Sequence, residues 1–148
     1  MAEKTLIVYY SRSGKSDILA KKLQEKLACD IDKISYIDKD HISFPNAVME
    51  SIKKATSEIK GDVHNPGDYE RIIFVSPIWK SGLSTPIRSY MQKYNSKIAS
   101  YSLLAVSGKV GFDGTVKDAE KVLGKKAQTC AHYIASQVAK GNYDISAF

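Results

Sequence analysis

The chain has 148 residues, 43% hydrophobic and 26% charged, with 9 Gly, 4 Pro, 2 Cys and a formal net charge of +6. That length suits a single domain over residues 1–148, and the apolar fraction excludes a disordered or low-complexity chain. No apolar run approaches the ~20 residues that span a bilayer, so no membrane insertion is expected.

Met1-Ala2-Glu3-Lys4 lacks the basic flank and long apolar stretch of a leader, and Cys29 and Cys130 match no metal or redox spacing. The expectation is a cytoplasmic protein without a metal site. The charge is uneven. Residues 1–74 carry 12 Lys and Arg against 12 Asp and Glu, and residues 75–148 carry 10 against 4. Such an excess suits an anionic ligand or partner, or is merely a soluble basic surface.

Lys4 to Tyr10 is a short apolar, β-branched and aromatic run, the signature of a strand buried on both faces. It ends in the polar loop Ser11-Arg12-Ser13-Gly14-Lys15-Ser16. Ile18, Leu19, Lys22, Leu23 and Leu27 then recur at helical spacing, with Ser16 or Asp17 placed to cap the start. A second strand is expected over 30–37 and a helix over 46–59, which Gly61-Asp62 ends. Asn65-Pro66-Gly67-Asp68 reads as a turn. Arg71 to Ser76 is the clearest buried strand, and Pro77 ends it because proline has no N–H for a central ladder.

After the loop 78–83, Ser84-Thr85-Pro86 opens a helix, proline fitting the first turn, with Ile87, Met91 and Tyr94 on its buried stripe. Ser102 to Val106 is a further strand. The loop Ser107 to Gly114 follows, with three glycines in eight residues, and then a helix over about 116–123, stopped by Gly124. From Ala127 to Val138 the apolar spacing is helical, yet the alternation of elements asks for a strand within 128–135, which is the reading adopted. Strands alternating with helices give an α/β fold, a doubly wound five-stranded parallel sheet with helices on both faces. Ligands of such sheets sit at the carboxyl ends of the strands, where the winding reverses. Three loops lie there: 11–16, 77–83 and 107–114.

The first loop offers three hydroxyls, backbone N–H groups and a helix N-terminus, which together make an anion site. Gly14-Lys15-Ser16 suggests a triphosphate loop, but that pattern needs glycine at position 9, which is Tyr. A dinucleotide fingerprint also fails, with one glycine where three are needed. A cradle for one phosphate monoester and an ordinary capped turn remain as equal readings. In Pro77-Ile78-Trp79-Lys80-Ser81-Gly82, the sole Trp either plugs the core or stacks on a planar ligand. Beside a phosphate cradle, stacking fits a nucleotide with a flat ring system. Ser107, Gly108, Lys109 and Gly111 allow close backbone approach, and Phe112 is either a second ring wall or packing.

Together these segments resemble the flavodoxin family. Thr5 to Ser16 is similar to its opening strand and hydroxyl-rich phosphate loop. Asp68 to Trp79, continued by Ser84-Thr85-Pro86-Ile87-Arg88, is similar to its third strand and tryptophan loop. Val106-Ser107-Gly108 with Gly111 is similar to its second flavin loop. The resemblance implies FMN, with phosphate at 11–16 and the ring between 77–82 and 107–112. It implies an electron carrier with a redox partner protein, or an FMN-dependent NAD(P)H:quinone-type oxidoreductase; a flavin-free regulatory module is the alternative, and a homodimer is compatible with all three. Lys80 and Lys109 would place positive charge near the ring and favour its anionic reduced form. The chain departs from the family in being basic and in a C-terminal helix cut short. No nucleophile has a base beside it, and His41, His64 and His132 are scattered, so no catalytic residue is expected. Nucleic acid is not an expected partner, because the tyrosines do not interleave with a basic stripe.

Overall fold

In the structure, a computed structural model, residues 4–12, 14–36, 59–79, 82–107 and 111–148 are described. The strands are β1 (Thr5–Tyr9), β2 (Asp30–Lys33), β3 (Ser35–Tyr36), β4 (Ile59–Lys60), β5 (Arg71–Pro77), β6 (Tyr101–Ser107) and β7 (Cys130–Ile134). The helices are α1 (Lys15–Leu27), α2 (Thr85–Lys93), α3 (Phe112–Leu123) and α4 (Ala135–Ala139). Five strands form one sheet in the order β2-β1-β5-β6-β7. Every pairing in it is parallel, Val8 standing opposite both Asp32 and Phe74, and Leu104 opposite both Val75 and Ala131.

Strand alternation sends neighbouring side chains to opposite faces, and a parallel sheet covered on both sides needs apolar residues on each. Leu6, Val8, Phe74 and Leu103 pack with Ile87, Met91, Ala119 and Leu123 of α2 and α3. Ile7, Ile73, Val75 and Leu104 pack with Leu19, Ala20 and Leu23 of α1 and Val138 of α4. The latter face is completed by residues 142–148: Tyr143, Ile145 and buried Phe148 lie on it, and the Lys26 ammonium donates to the Ile145 carbonyl at 2.7 Å. That tail covers what the short α4 leaves open.

Several expected boundaries move. The second strand stops at Lys33, where Ile34 turns its N–H to the Tyr9 carbonyl at 2.7 Å, and β3 pairs instead with β4, antiparallel. Ile59, expected to close a helix, is thus a strand residue; the rest of the segment 46–59 lies outside the described residues. Gly61 is demanded at the end of β4, because it has φ +95° and a Cβ there would lie 1.9 Å from the Lys33 carbonyl oxygen. Gly14, rather than Ser16 or Asp17, caps α1, and Ile18 of the expected stripe is exposed. α3 begins at Phe112 instead of 116, capped at Gly111, so Gly114 lies within its first turn. The strand β7 is present despite the helical spacing: Cys130 packs to one face, Ala131 and Tyr133 to the other, and the helix begins only at Ala135.

Polar pairs tie β2 to its neighbours. The Tyr69 hydroxyl donates to Asp30 at 2.6 Å. Asp32, with a fully buried side chain, accepts the His64 N–H at 3.0 Å and lies 2.5 Å from His64 Nδ1. This hydrogen bond to Asp32 holds the imidazole above its ordinary pKa of 6.5, against the opposing effect of burial. A raised folded-state pKa adds stability that is fully present below the unfolded value and is lost as pH rises through the folded one. The thermal unfolding midpoint of the wild type should therefore exceed that of His64→Gln most clearly below about pH 6.5, and the gap should close toward alkaline pH. A gap that widens with pH would contradict the assignment.

Candidate functional site

The winding runs from β1 outward to β2, then returns past β1 to β5, β6 and β7. The reversal lies between β1 and β5, and the edge at their carboxyl ends is the usual ligand position of doubly wound sheets. The three predicted loops do converge on this edge, since each leaves the carboxyl end of β1, β5 or β6.

In the first loop the Ser11 hydroxyl accepts the Gly14 N–H at 3.0 Å. Gly14 has φ +92°, and a Cβ built on it would meet no atom within 4 Å, so the space beside Gly14 is open. The first helical bond runs from the Ile18 N–H to the Gly14 carbonyl at 3.2 Å. The N–H groups of Lys15, Ser16 and Asp17 therefore have no intrahelical acceptor, and the positive end of the helix dipole points the same way. Ser16 is buried, Arg12 is exposed, and Ser13 lies outside the described residues. Asp17 already serves a partner, accepting from the Tyr9 hydroxyl at 2.7 Å with Lys21 and Lys33 at 3.4 and 3.8 Å. The Tyr9 bond, with help from Lys21, holds the Asp17 carboxyl below its usual range, while burial and Asp17 push the Tyr9 phenol upward.

The second loop is a tight excursion. Trp79 and Gly82 exchange backbone hydrogen bonds at 3.0 and 3.1 Å, and Ile78 bridges Leu83 in antiparallel fashion. Its base is clamped by a buried ion pair. Arg88 of α2 donates through Nη2 to Asp118 of α3 and, at 3.2 Å, to the Leu83 carbonyl, while Asp118 accepts the Leu83 N–H at 3.0 Å. The two charged side chains are 1% and 6% exposed. Ser84 adds a further tie, its N–H donating to the Ser76 hydroxyl at 3.2 Å. Trp79 is turned inward: it is 2% exposed, in the core cluster with Leu83 and Ile87, and Tyr10 meets it edge to face at 5.6 Å and 87°. As placed, the indole fills the end of the core and presents no stacking face, because burying it recovers more apolar area than a loop position would. Pro77 ends β5 as expected, and Lys80 and Ser81 lie outside the described residues.

In the third loop Gly108 and Lys109 also lie outside the described residues. Ser107 closes β6, and its hydroxyl shares a 2.7 Å hydrogen bond with His132 Nε2 of β7. Phe112 stacks on the same imidazole, ring centroids 5.3 Å apart and planes 7° apart. Gly111 caps α3, its carbonyl accepting from both the N–H and the hydroxyl of Thr115 at 3.0 and 2.8 Å. A histidine read from sequence as scattered is thus brought to two of the predicted site residues.

The positive excess of the second half does not gather at these loops among the described residues. Arg88 is neutralised in the core by Asp118 and Lys93 pairs with Asp62 at 2.7 Å. Lys125 donates to the Ile98 carbonyl at 2.7 Å, and Lys117 and Lys121 are exposed along α3. Most of the described basic residues of the second half lie instead on α2, on α3 or in the turns after them. No group of three or more His, Cys, Asp or Glu positioned to hold a metal ion, and no helix long and apolar enough to cross a membrane, occurs among the described residues.

A sequence-family model described as flavodoxin matches residues 4–142. No curated protein matches the chain significantly. Among solved structures the chain is similar to a flavoprotein from Lactobacillus acidophilus in complex with FMN, with TM-score 0.77 and 22% identity over 94% of this chain and 98% of that one. The apo-form of a flavoprotein from the same organism gives TM-score 0.71 and 23% identity, over 97% and 99% of the two chains. A Fusobacterium nucleatum flavodoxin bound to flavin mononucleotide gives TM-score 0.50 and 14% identity, over 87% and 69%.

Removing one partner of a buried ion pair strands the other charge. Asp118→Asn should cost about 3–5 kcal/mol of unfolding free energy in urea, because Arg88 is left buried without its carboxylate. A variant as stable as the wild type would show that the pair does not hold the loop base.

Proposed function

The chain belongs to the flavodoxin family, and from that premise we propose that it binds FMN at the carboxyl edge of β1, β5 and β6 and works in electron transfer. The observation that carries the reading is the loop from Ser11 to Gly14 running into α1 beside the winding reversal. A phosphate monoester asks for converging N–H donors, hydroxyls and the positive end of a helix dipole. Ser11, the open left-handed Gly14 and the unpaired first-turn N–H groups of α1 supply that set. Ser13 and Ser16 add hydroxyls in the same reading, and Arg12 and Lys15 add charge around it. Bound there, FMN would supply the one- or two-electron chemistry at its ring, and the protein would supply placement and electrostatics.

The ring would lie between the 77–82 and 107–112 loops, its polar edge toward their backbone groups. With Trp79 directed into the core, the second loop would meet the ring through backbone groups, its base at Leu83 set by Asp118 and Arg88, and Phe112 would be the aromatic wall at the opposite side. Lys80 and Lys109, in the two ring loops, would make the site more electropositive than an acidic one and stabilise negative charge on the reduced ring.

Four measurements test this. The purified protein, or the protein after FMN titration, should show the visible absorption of bound oxidised flavin; a chain that stays colourless and takes up no FMN overturns the proposal. Ser11→Ala, which removes the acceptor of the Gly14 N–H, should weaken FMN about tenfold while leaving riboflavin, which lacks the phosphate, unchanged. Lys80→Glu should make the flavin midpoint potential more negative. A carrier should oxidise neither NADH nor NADPH with a quinone unless a separate reductase is added, and turnover by the chain alone would replace the carrier reading with that of a quinone-type oxidoreductase.

A further inference from the structure

We propose that His132 is a positioning residue of the flavin site: one imidazole fastens both ends of the 107–112 loop. The inference rests on the FMN reading above. Ser107 is the last residue of β6 and Phe112 the first of α3, and the two bound the loop in question. Both touch the same ring, Ser107 by the 2.7 Å hydrogen bond to Nε2 and Phe112 by the parallel stack at 5.3 Å and 7°. The imidazole is itself held by the sheet, because His132 stands opposite Ala105 in the parallel ladder of β6 and β7. One side chain on a rigid strand therefore sets where the loop leaves the sheet and where it enters the helix.

A loop that meets a ligand through backbone groups must be ordered to do so, and every residue ordered on binding subtracts from affinity. Anchoring both ends in advance removes part of that cost. The residue type matters at this position. An apolar ring at 132 would still pack on Phe112, but only a hydrogen-bonding ring can do so and also fix the Ser107 hydroxyl. Among the described residues no carboxylate hydrogen-bonds to His132 as the orienting third group of a nucleophile and base would. Its geometry serves placement.

The test is ligand binding by the full chain, followed by flavin fluorescence, with FMN and riboflavin compared in parallel. Ser107→Ala and His132→Phe each remove the hydrogen bond, and each should weaken both ligands by the same factor, about fivefold to tenfold, since the loop meets the ring and not the phosphate. The double variant should be no weaker than either single one, because the two changes delete one interaction. His132→Gln, whose carboxamide keeps a hydrogen-bonding group toward Ser107 but offers no ring to Phe112, should recover part of the affinity; it and Ser107→Ala decide the matter if His132→Phe does not fold. Single variants that bind like the wild type, additive losses in the double variant, a loss confined to FMN, or no rescue by glutamine would each overturn the assignment. A wild-type chain that binds neither ligand overturns the FMN reading itself, and this inference with it.

Discussion

Every loop of the candidate site follows from one constraint: β1, β5 and β6 run parallel and are buried on both faces. A parallel neighbour can be reached only by crossing back over a face of the sheet, and a helix is the element that covers that face while making the crossing. Each of these strands therefore ends at the same edge, with a loop and a helix N-terminus beyond it. Because β2 lies on one side of β1 and β5 on the other, adjacent loops diverge at the reversal and leave a crevice. The open Gly14 turn, the Trp79–Gly82 turn and the Ser107–Phe112 segment are placed together by this topology before any of them contributes a specific contact.

The apolar faces fix the sheet, but the loops are aimed by buried polar groups. A salt bridge out of water is costly unless its remaining hydrogen-bonding capacity is used. The Arg88–Asp118 pair uses part of that capacity on the N–H and carbonyl of a single residue, Leu83, at the base of the second loop. The Ser76 hydroxyl does similar work one residue later, accepting the Ser84 N–H and donating to the Pro77 carbonyl. Elsewhere phenol–carboxylate pairs repeat the pattern: Tyr9 with Asp17, Tyr69 with Asp30, Tyr94 with Asp62. In each, an aromatic body joins the apolar packing while its hydroxyl reaches a charged group near the surface. Tyrosines that count as apolar in composition are thus also the links between elements.

The charge of the chain takes a different meaning in three dimensions. Counting along the sequence puts all six excess positive charges in the second half. Folding buries one cation, Arg88, beside Asp118 and spreads most of the second half's described lysines over α2, α3 and the turns after them. Lys80 and Lys109, which the sequence puts in the second and third loops, lie outside the described residues. A bulk count cannot separate these populations, because it carries no direction.

The sequence by itself determined the alternating α/β plan, the five-stranded parallel sheet and the three loops at one edge. Burial periodicity is local: the runs at Leu6–Tyr9, Ile72–Val75 and Leu103–Val106 could be nothing but buried strands, and Gly14 marked the turn after the first. Where local signals conflicted, as at 128–135, the need to complete the sheet outweighed helical spacing. Only the tertiary structure decided which side chains meet. Asp118 contacts Arg88 across 30 residues and Leu83 across 35, and His132 reaches Ser107 across 25. Asp118 fell within the helix expected over about 116–123, but nothing in the sequence marked it as buried or named its partner. The inward turn of Trp79 is of the same kind, since stacking face and core plug share one residue type and differ only in what surrounds the ring. Periodicity records how much of a residue is buried; the partner that shares its burial is set by the packing of elements distant in the chain.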